Sequence, residues 1–165
     1  QLVIDADALN WISSMPVKKR LDLIKKLNNP ILTPHHGEMK RLVDISIESN
    51  LPPRIPLIHK LSQEWNATFV LKGPYTLVGT KDGSIYINPV ATPSLATAGT
   101  GDILGGMIGG LIAQNLSNTA SSITSVFIHG LAGLKLTETI GEIGSITSDL
   151  LNILPSTVQE LRKHL

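Results

Sequence analysis

Short apolar runs alternate with amphipathic helical segments along the first half of the chain, and that alternation constrains the fold more than any other feature. Leu2-Val3-Ile4 is rich in β-branched residues and ends in Asp5, the pattern of a buried strand reaching a loop. Pro16 suits the first turn of a helix, and Val17 to Leu27 sets Val17, Leu21, Leu23, Ile24 and Leu27 among lysines and Arg20. Pro30-Ile31-Leu32-Thr33 reads as the next strand, stopped by Pro34, after which His35-His36-Gly37-Glu38 leads into a helix through Leu42 and Val43. A stretch punctuated by Pro52, Pro53 and Pro56 precedes a helix over Leu57 to Trp65, and Thr68-Phe69-Val70-Leu71 is a strand ending at Lys72-Gly73. Strand and helix in alternation predict a parallel sheet covered by helices.

From Tyr75 to Asn88 the period shortens to two. Thr76-Leu77-Val78 and Ser84-Ile85-Tyr86-Ile87, joined across Asp82-Gly83, predict an antiparallel hairpin added to the sheet. Beyond Pro93 the pattern is helical: Ile103, Leu104, Met107, Ile108, Leu111 and Ile112, then Ile123, Val126, Phe127, Leu131 and Leu134. Ser117 to Ser122 reads as the connection between these helices, and a last helix is expected to open near Pro155 with Ser156 and Thr157. With no repeat or low-complexity tract, one α/β domain over residues 1–165 accounts for the sequence.

A 42% hydrophobic fraction fills a core, while charges of 14 Lys and Arg against 13 Asp and Glu leave no basic face for nucleic acid. The absence of cysteine removes disulfides, thiolate metal sites and cysteine nucleophiles, and is compatible with a reducing cytoplasm. Glycines interrupt the most apolar stretch, Ile103 to Ala113, so no membrane partner is expected. The chain opens at Gln1 directly on a strand-like run, without a signal sequence; the expectation is a fold that continues upstream.

The sharpest chemical feature is Ala96-Thr97-Ala98-Gly99-Thr100-Gly101-Asp102, small residues running into an apolar helix. First-turn amides lack intrahelical partners and the helix dipole adds partial positive charge, so phosphate oxygens can approach closely. A carboxylate there repels a bound phosphate, but Asp102 makes sense as a base beside a reacting hydroxyl. The alternative is that Asp102 caps the helix and the glycines serve close packing, which is the preferred reading for Gly105, Gly106, Gly109 and Gly110. In Thr33-Pro34-His35-His36-Gly37-Glu38 an imidazole could position a substrate and Glu38 could hold a metal-bound water. Zinc is disfavoured because no third ligand recurs. Lys72 stands where a phosphate could meet a cation, and Thr76 where a hydroxyl could bond a nucleotide; Lys72 could equally be solvated. Asp5, Asp7 and Asn10 form a polar cluster that could serve Mg²⁺ or cap the next turn. His129-Gly130-Leu131-Ala132-Gly133 suggests tight helix packing around a satisfied core histidine, and Ser148-Asp149 a helix cap.

Together, Asp5-Ala6-Asp7-Ala8-Leu9-Asn10, Thr33-Pro34-His35-His36-Gly37-Glu38, Lys72-Gly73, Asn88-Pro89, Gly99-Thr100-Gly101-Asp102, His129-Gly130-Leu131-Ala132-Gly133 and Ser148-Asp149-Leu150 follow the order and spacing of one family. The chain resembles the ADP- or ATP-dependent NAD(P)H-hydrate dehydratases, and the match spans nearly all residues. The resemblance implies a ribokinase-like three-layer α/β/α fold with a mainly parallel sheet and an antiparallel hairpin, its N-terminal part preceding Gln1. It also implies that Asp102 and His35 meet NAD(P)H hydrate, with Asp102 as base. Lys72, Gly73, Pro74, Tyr75 and Thr76 with Gly99, Thr100 and Gly101 would hold ADP or ATP, Glu38 would lie near Mg²⁺, and the protein would be a homo-oligomer, a tetramer by family expectation. Bacterial members use ADP and eukaryotic ones ATP. His36 stands where the family usually has proline, Ala98 where glycine is common, and Val90-Ala91 replace a threonine-glycine pair. The rival readings are a ribokinase-like vitamin kinase, such as one acting on hydroxyethylthiazole, and a non-catalytic nucleotide-binding or assembly module.

Overall fold

A computed structural model describes residues 1–45 and 53–163. Five strands, β1 (Val3–Ile4), β2 (Ile31–Leu32), β3 (Thr68–Leu71), β4 (Leu77–Gly79) and β5 (Ile85–Ile87), form one sheet in the order β1-β2-β3-β4-β5. The pairs β1–β2 and β2–β3 are parallel, with Ile4 opposite Leu32 and Leu32 opposite Phe69. The pairs β3–β4 and β4–β5 are antiparallel, so the expected hairpin is β4–β5, turning through Asp82-Gly83 with Gly83 at φ +88°.

Side chains along a strand alternate between the faces of a sheet, and here that alternation sorts the core into two layers. Leu32, Phe69, Leu71 and Leu77 face one side, where they meet Leu9 and Ile12 of α1 (Ala6–Ser13), Ile24 of α2 (Val17–Lys26), Met39 and Leu42 of α3 (His36–Leu42), and Ile58, Leu61 and Trp65 of α4 (Arg54–Trp65). Ile31, Val70 and Val78 face the other, against Leu104 and Ile108 of α5 (Thr100–Ala113) and Val126 of α6 (Asn118–Thr139). A further helix, α7 (Thr147–Arg162), packs on α6 through Leu150 against Ala132 and Leu136. The expected three layers are therefore present, with Trp65 and Phe69 in edge contact at 5.6 Å between ring centroids.

Several local expectations change. α4 begins at Arg54, because Pro56 falls in a first turn that needs no N–H from it; Pro52 lies outside the described residues. The predicted helix start near Pro155 is replaced by α7 beginning at Thr147, with Pro155 inside it. Burial overrides the proline: Leu150 and Thr157, two turns apart on either side of it, are both buried, and Ile153 and Leu154 pack beside Leu150. The cap expected at Ser148-Asp149 is realised in part: the N-cap is Ile146, and Asp149, inside the first turn, accepts the Ile146 N–H at 2.9 Å. Ser121 and Ser122 are helical rather than a connection, since Ser117 caps α6 by accepting the Ala120 N–H. Gly130 and Gly133 do permit close approach: a Cβ would lie 2.6 Å from Asn88 Nδ2 at the first and 2.6 Å from Leu95 Cγ at the second. Gly106, Gly109 and Gly110, by contrast, meet nothing within 4 Å, and Gly105 only Asp5 Oδ2 at 3.8 Å, so the packing expected of these four is absent among the described residues.

Candidate active site

The three parallel strands end side by side, and each delivers a charged or polar group to that end. After β1, Asp5 caps α1: its Oδ1 accepts the Ala6 N–H at 2.9 Å and the Lys72 ammonium at 2.7 Å. Asp5 thus fills the capping role open to it, and the residue it caps, Ala6, lies at φ +50°, a left-handed conformation that an alanine rarely adopts. Asp7 lies exposed in the first turn of α1 and does not line the cavity described below, while Asn10 accepts from Arg41 Nε at 3.0 Å.

After β2, His35 caps α3. Its Nδ1 accepts the Gly37 N–H at 2.9 Å, and Glu38 Oε2 returns to accept the His35 N–H at 2.7 Å. Because Nδ1 is an acceptor, the proton of the neutral ring sits on Nε2, which lies 3.6 Å from Glu38 Oε2. After β3, Lys72 extends between Asp5 and Glu38, its Nζ 3.8 Å from Glu38 Oε2. The lysine that could have been merely solvated is thus a largely buried cation held by two carboxylates.

The fourth component is the first turn of α5. Gly99 sits at φ +91°, which favours glycine, and no side chain caps the helix. Asp102 N–H turns back to Gly99 O at 3.1 Å and Ile103 N–H to the same oxygen at 3.3 Å, while the Gly101 N–H meets no acceptor among the described residues. Lys72 lies over this turn: a Cβ on Gly101 would stand 3.2 Å from its Nζ. Ammonium and open helix terminus therefore converge, as an anion site requires. The Thr100 hydroxyl faces away, donating toward Leu95 O at 2.7 Å and Thr97 O at 2.9 Å.

These groups share a cavity of about 810 Å³, within the range of small-molecule and cofactor sites. Asp5, His35, His36, Glu38, Lys72, Gly73, Pro74, Thr76, Gly99, Thr100, Gly101 and Asp102 all line it. Tyr75 does not: its side chain is half exposed and its backbone turns through φ +52°. The small-residue loop from Ala96 was legible in the sequence, but the wall that precedes it, Val90 to Pro93 with Leu95, and what fixes that wall were not. Thr137 on α6 bonds Thr92 at 2.7 Å and Ser94 at 2.8 Å, Leu95 seats on Gly133, and the Thr147 hydroxyl donates to Ala98 O. His129 Nε2 lies 2.9 Å from Thr100 O, and burial pushes its imidazole pKa below the ordinary value. His129, Gly133 and Thr137 recur at four-residue spacing, so one helical face carries all three; that spacing was the available signal.

Three carboxylates, Asp5, Glu38 and Asp102, line the cavity against the single lysine Lys72. A polyphosphate entering such a site calls for an accompanying cation. No group of three His, Cys, Asp or Glu gathers to cage a metal among the described residues, and one oxygen of Glu38 already caps α3. The donor set fits Mg²⁺ that keeps its waters and is carried on phosphates, not an ion held by protein ligands alone.

The family model for NAD(P)H-hydrate dehydratases matches residues 1–156. The bifunctional NAD(P)H-hydrate repair enzyme Nnr of Moorella thermoacetica is 35% identical over 162 residues, which are 98% of this chain and 30% of that protein. The crystal structure of ADP/ATP-dependent NAD(P)H-hydrate dehydratase from Bacillus subtilis, co-crystallised with ATP/Mg²⁺ and soaked with CoA, superposes with a TM-score of 0.75 at 28% identity, covering 80% of this chain and 49% of that one. A ribokinase-like superfamily protein from Enterococcus faecalis gives a TM-score of 0.70 at 27% identity, over 96% of this chain and 52% of the other. The chain thus spans between about a third and a half of these relatives, and its fold is ribokinase-like. With the family model matched over residues 1–156, this chain belongs to the NAD(P)H-hydrate dehydratase family.

Proposed function

We propose that this chain supplies the nucleotide and acceptor site of an enzyme that dehydrates the S-epimer of NAD(P)H hydrate back to NAD(P)H with ADP or ATP. The observation that carries the reading is the convergence of Lys72, the open first turn of α5 and Asp102 on one cavity that also holds His35. Membership of the family supports it further.

In this reading the phosphates lie against the Gly99, Thr100 and Gly101 turn and the Lys72 ammonium, with Gly73, Pro74 and Thr76 along the nucleotide and Tyr75 contributing only backbone. Asp102 takes the proton of the ring hydroxyl as that oxygen attacks the terminal phosphorus. The bond to the leaving nucleotide then breaks, releasing AMP from ADP or ADP from ATP. The ring C–O bond breaks next, expelling inorganic phosphate, and loss of a proton from the neighbouring carbon restores the reduced nicotinamide. His35, with a proton on Nε2, donates to the substrate. Mg²⁺ bound on the phosphates supplies charge neutralisation, with Glu38 and Asp5 the carboxylates that would meet its waters. The Gly101 amide steadies charge on the transferred group.

The reading includes a segment of the same fold before Gln1, a homo-oligomer and a cytoplasmic location. The test supplies hydrated NADH, Mg²⁺ and either ADP or ATP to the full-length protein and follows the return of reduced-nicotinamide absorbance, with Asp102→Asn as control. Recovery with one nucleotide, abolished by Asp102→Asn, is expected and identifies the donor. Nucleotide binding with phosphorylation of a different alcohol, and no recovery, replaces the reading with a vitamin kinase.

A further inference from the structure

His129 is buried in α6 and takes no part in the reaction sketched above, yet its imidazole bonds to the turn on which that reaction depends. Nε2 lies 2.9 Å from the carbonyl of Thr100, the first residue of α5. A carbonyl only accepts, so Nε2 carries the proton and the imidazole is the donor. Thr100 is then held twice, by its hydroxyl on the preceding loop and by its carbonyl on α6. That hold matters because α5 has no side-chain cap of its own and enters through a glycine. A further side-chain hydrogen bond, from Thr147 to Ala98 O, holds the loop just before the turn. Gly130 and Gly133 let the 88–95 segment lie directly on the same helix face, so α6 is a template on which the whole loop is laid.

We infer that His129 is a positioning residue: by donating Nε2–H to Thr100 O it sets the rotation of the first turn of α5, aiming the Gly101 amide and the Asp102 carboxylate into the cavity. The consequence for turnover rests on the proposed function; the consequence for the turn itself does not.

Two variants separate this role from mere core filling. His129→Gln keeps an amide N–H at a similar reach, whereas His129→Leu fills the space without a donor. Hydrogen exchange of the peptide 99–105, ADP affinity by calorimetry, and kcat and KM for hydrated NADH are measured on both variants and the wild type, together with Tm. In His129→Leu, exchange across 99–105 accelerates and kcat falls by about tenfold, the size of one lost hydrogen bond, and ADP affinity weakens by a similar factor. In His129→Gln all three stay within about threefold of wild type, although both variants lose comparable Tm because both repack the core. Unchanged exchange in His129→Leu overturns the inference whatever the activity. Equal losses in the two variants, tracking Tm, also overturn it. If the wild type does not dehydrate hydrated NADH, the proposed function fails while exchange still decides the positioning.

Discussion

The Lys72 ammonium stands 2.7 Å from Asp5 Oδ1, tying the end of β3 to the cap of α1 across 67 residues of sequence. Both side chains are less than one-fifth exposed, so neither partner can recover full hydration when the other is removed. Lys72→Met is expected to destabilise the protein by about 1–3 kcal/mol, with Asp5→Asn costing a similar amount. The double variant loses less than the sum, by about 1 kcal/mol or more, because neither charge is left stranded. Urea melts of the four proteins check this; strict additivity would mean that the pair contributes nothing.

Gly101 lacks a side chain where the lysine needs room. A Cβ would stand 3.2 Å from Lys72 Nζ, so the ammonium would have to shift by a few tenths of an ångström and the methyl would occupy space between it and the α5 terminus. Gly101→Ala is therefore expected to weaken ADP binding by about tenfold while changing stability by less than about 1 kcal/mol, since alanine is the better helix former. Isothermal titration and a thermal melt on the same variant separate the two effects. Loss of folding would instead assign Gly101 a structural role.

The seat of Leu95 on Gly133 is a steric fit. A methyl group at Gly133 would meet Leu95 Cγ at 2.6 Å, so Gly133→Ala overpacks the contact and is expected to cost about 1–3 kcal/mol. Leu95→Ala in that background should restore part of the loss by making room, and a double-mutant cycle on Tm reads the coupling. Independent effects would show that the 90–98 segment is not laid on α6 at this point.

Burial lowers the imidazole pKa of His129 below its ordinary value near 6.5, while its bond to Thr100 O opposes the shift. The unfolded chain therefore binds more protons than the folded one as pH falls below 6.5. The neutral-His contribution is complete above that pH and is lost as acidification proceeds toward the folded-state pKa, with a slope of at most about 1.4 kcal/mol per pH unit. Stability measured in steps from pH 8 downward should show this decline for the wild type and a shallower one for His129→Gln.

Much of the architecture is legible in the sequence because it follows from periodicity. Alternation in Thr68-Phe69-Val70-Leu71 sends Phe69 and Leu71 to one helical layer and Val70 to the other, and the Asp-Gly turn closes the hairpin. The small-residue approach to Asp102 likewise identifies an uncapped helix terminus, since that is local backbone chemistry. Tertiary structure alone decided what those residues meet. Pro155 sits inside α7 because Leu150 and Thr157 are buried on either side of it, an energy that local propensity does not contain. Gly106, Gly109 and Gly110 meet nothing within 4 Å among the described residues, whereas Gly130 and Gly133, no different in composition, receive Asn88 and Leu95. Lys72 is a clamped cation rather than a solvated one because the parallel register sets the end of β3 within reach of Asp5 and Glu38. Spacing along a chain specifies which face a side chain takes; only the folding of distant segments onto one another supplies the partner on that face.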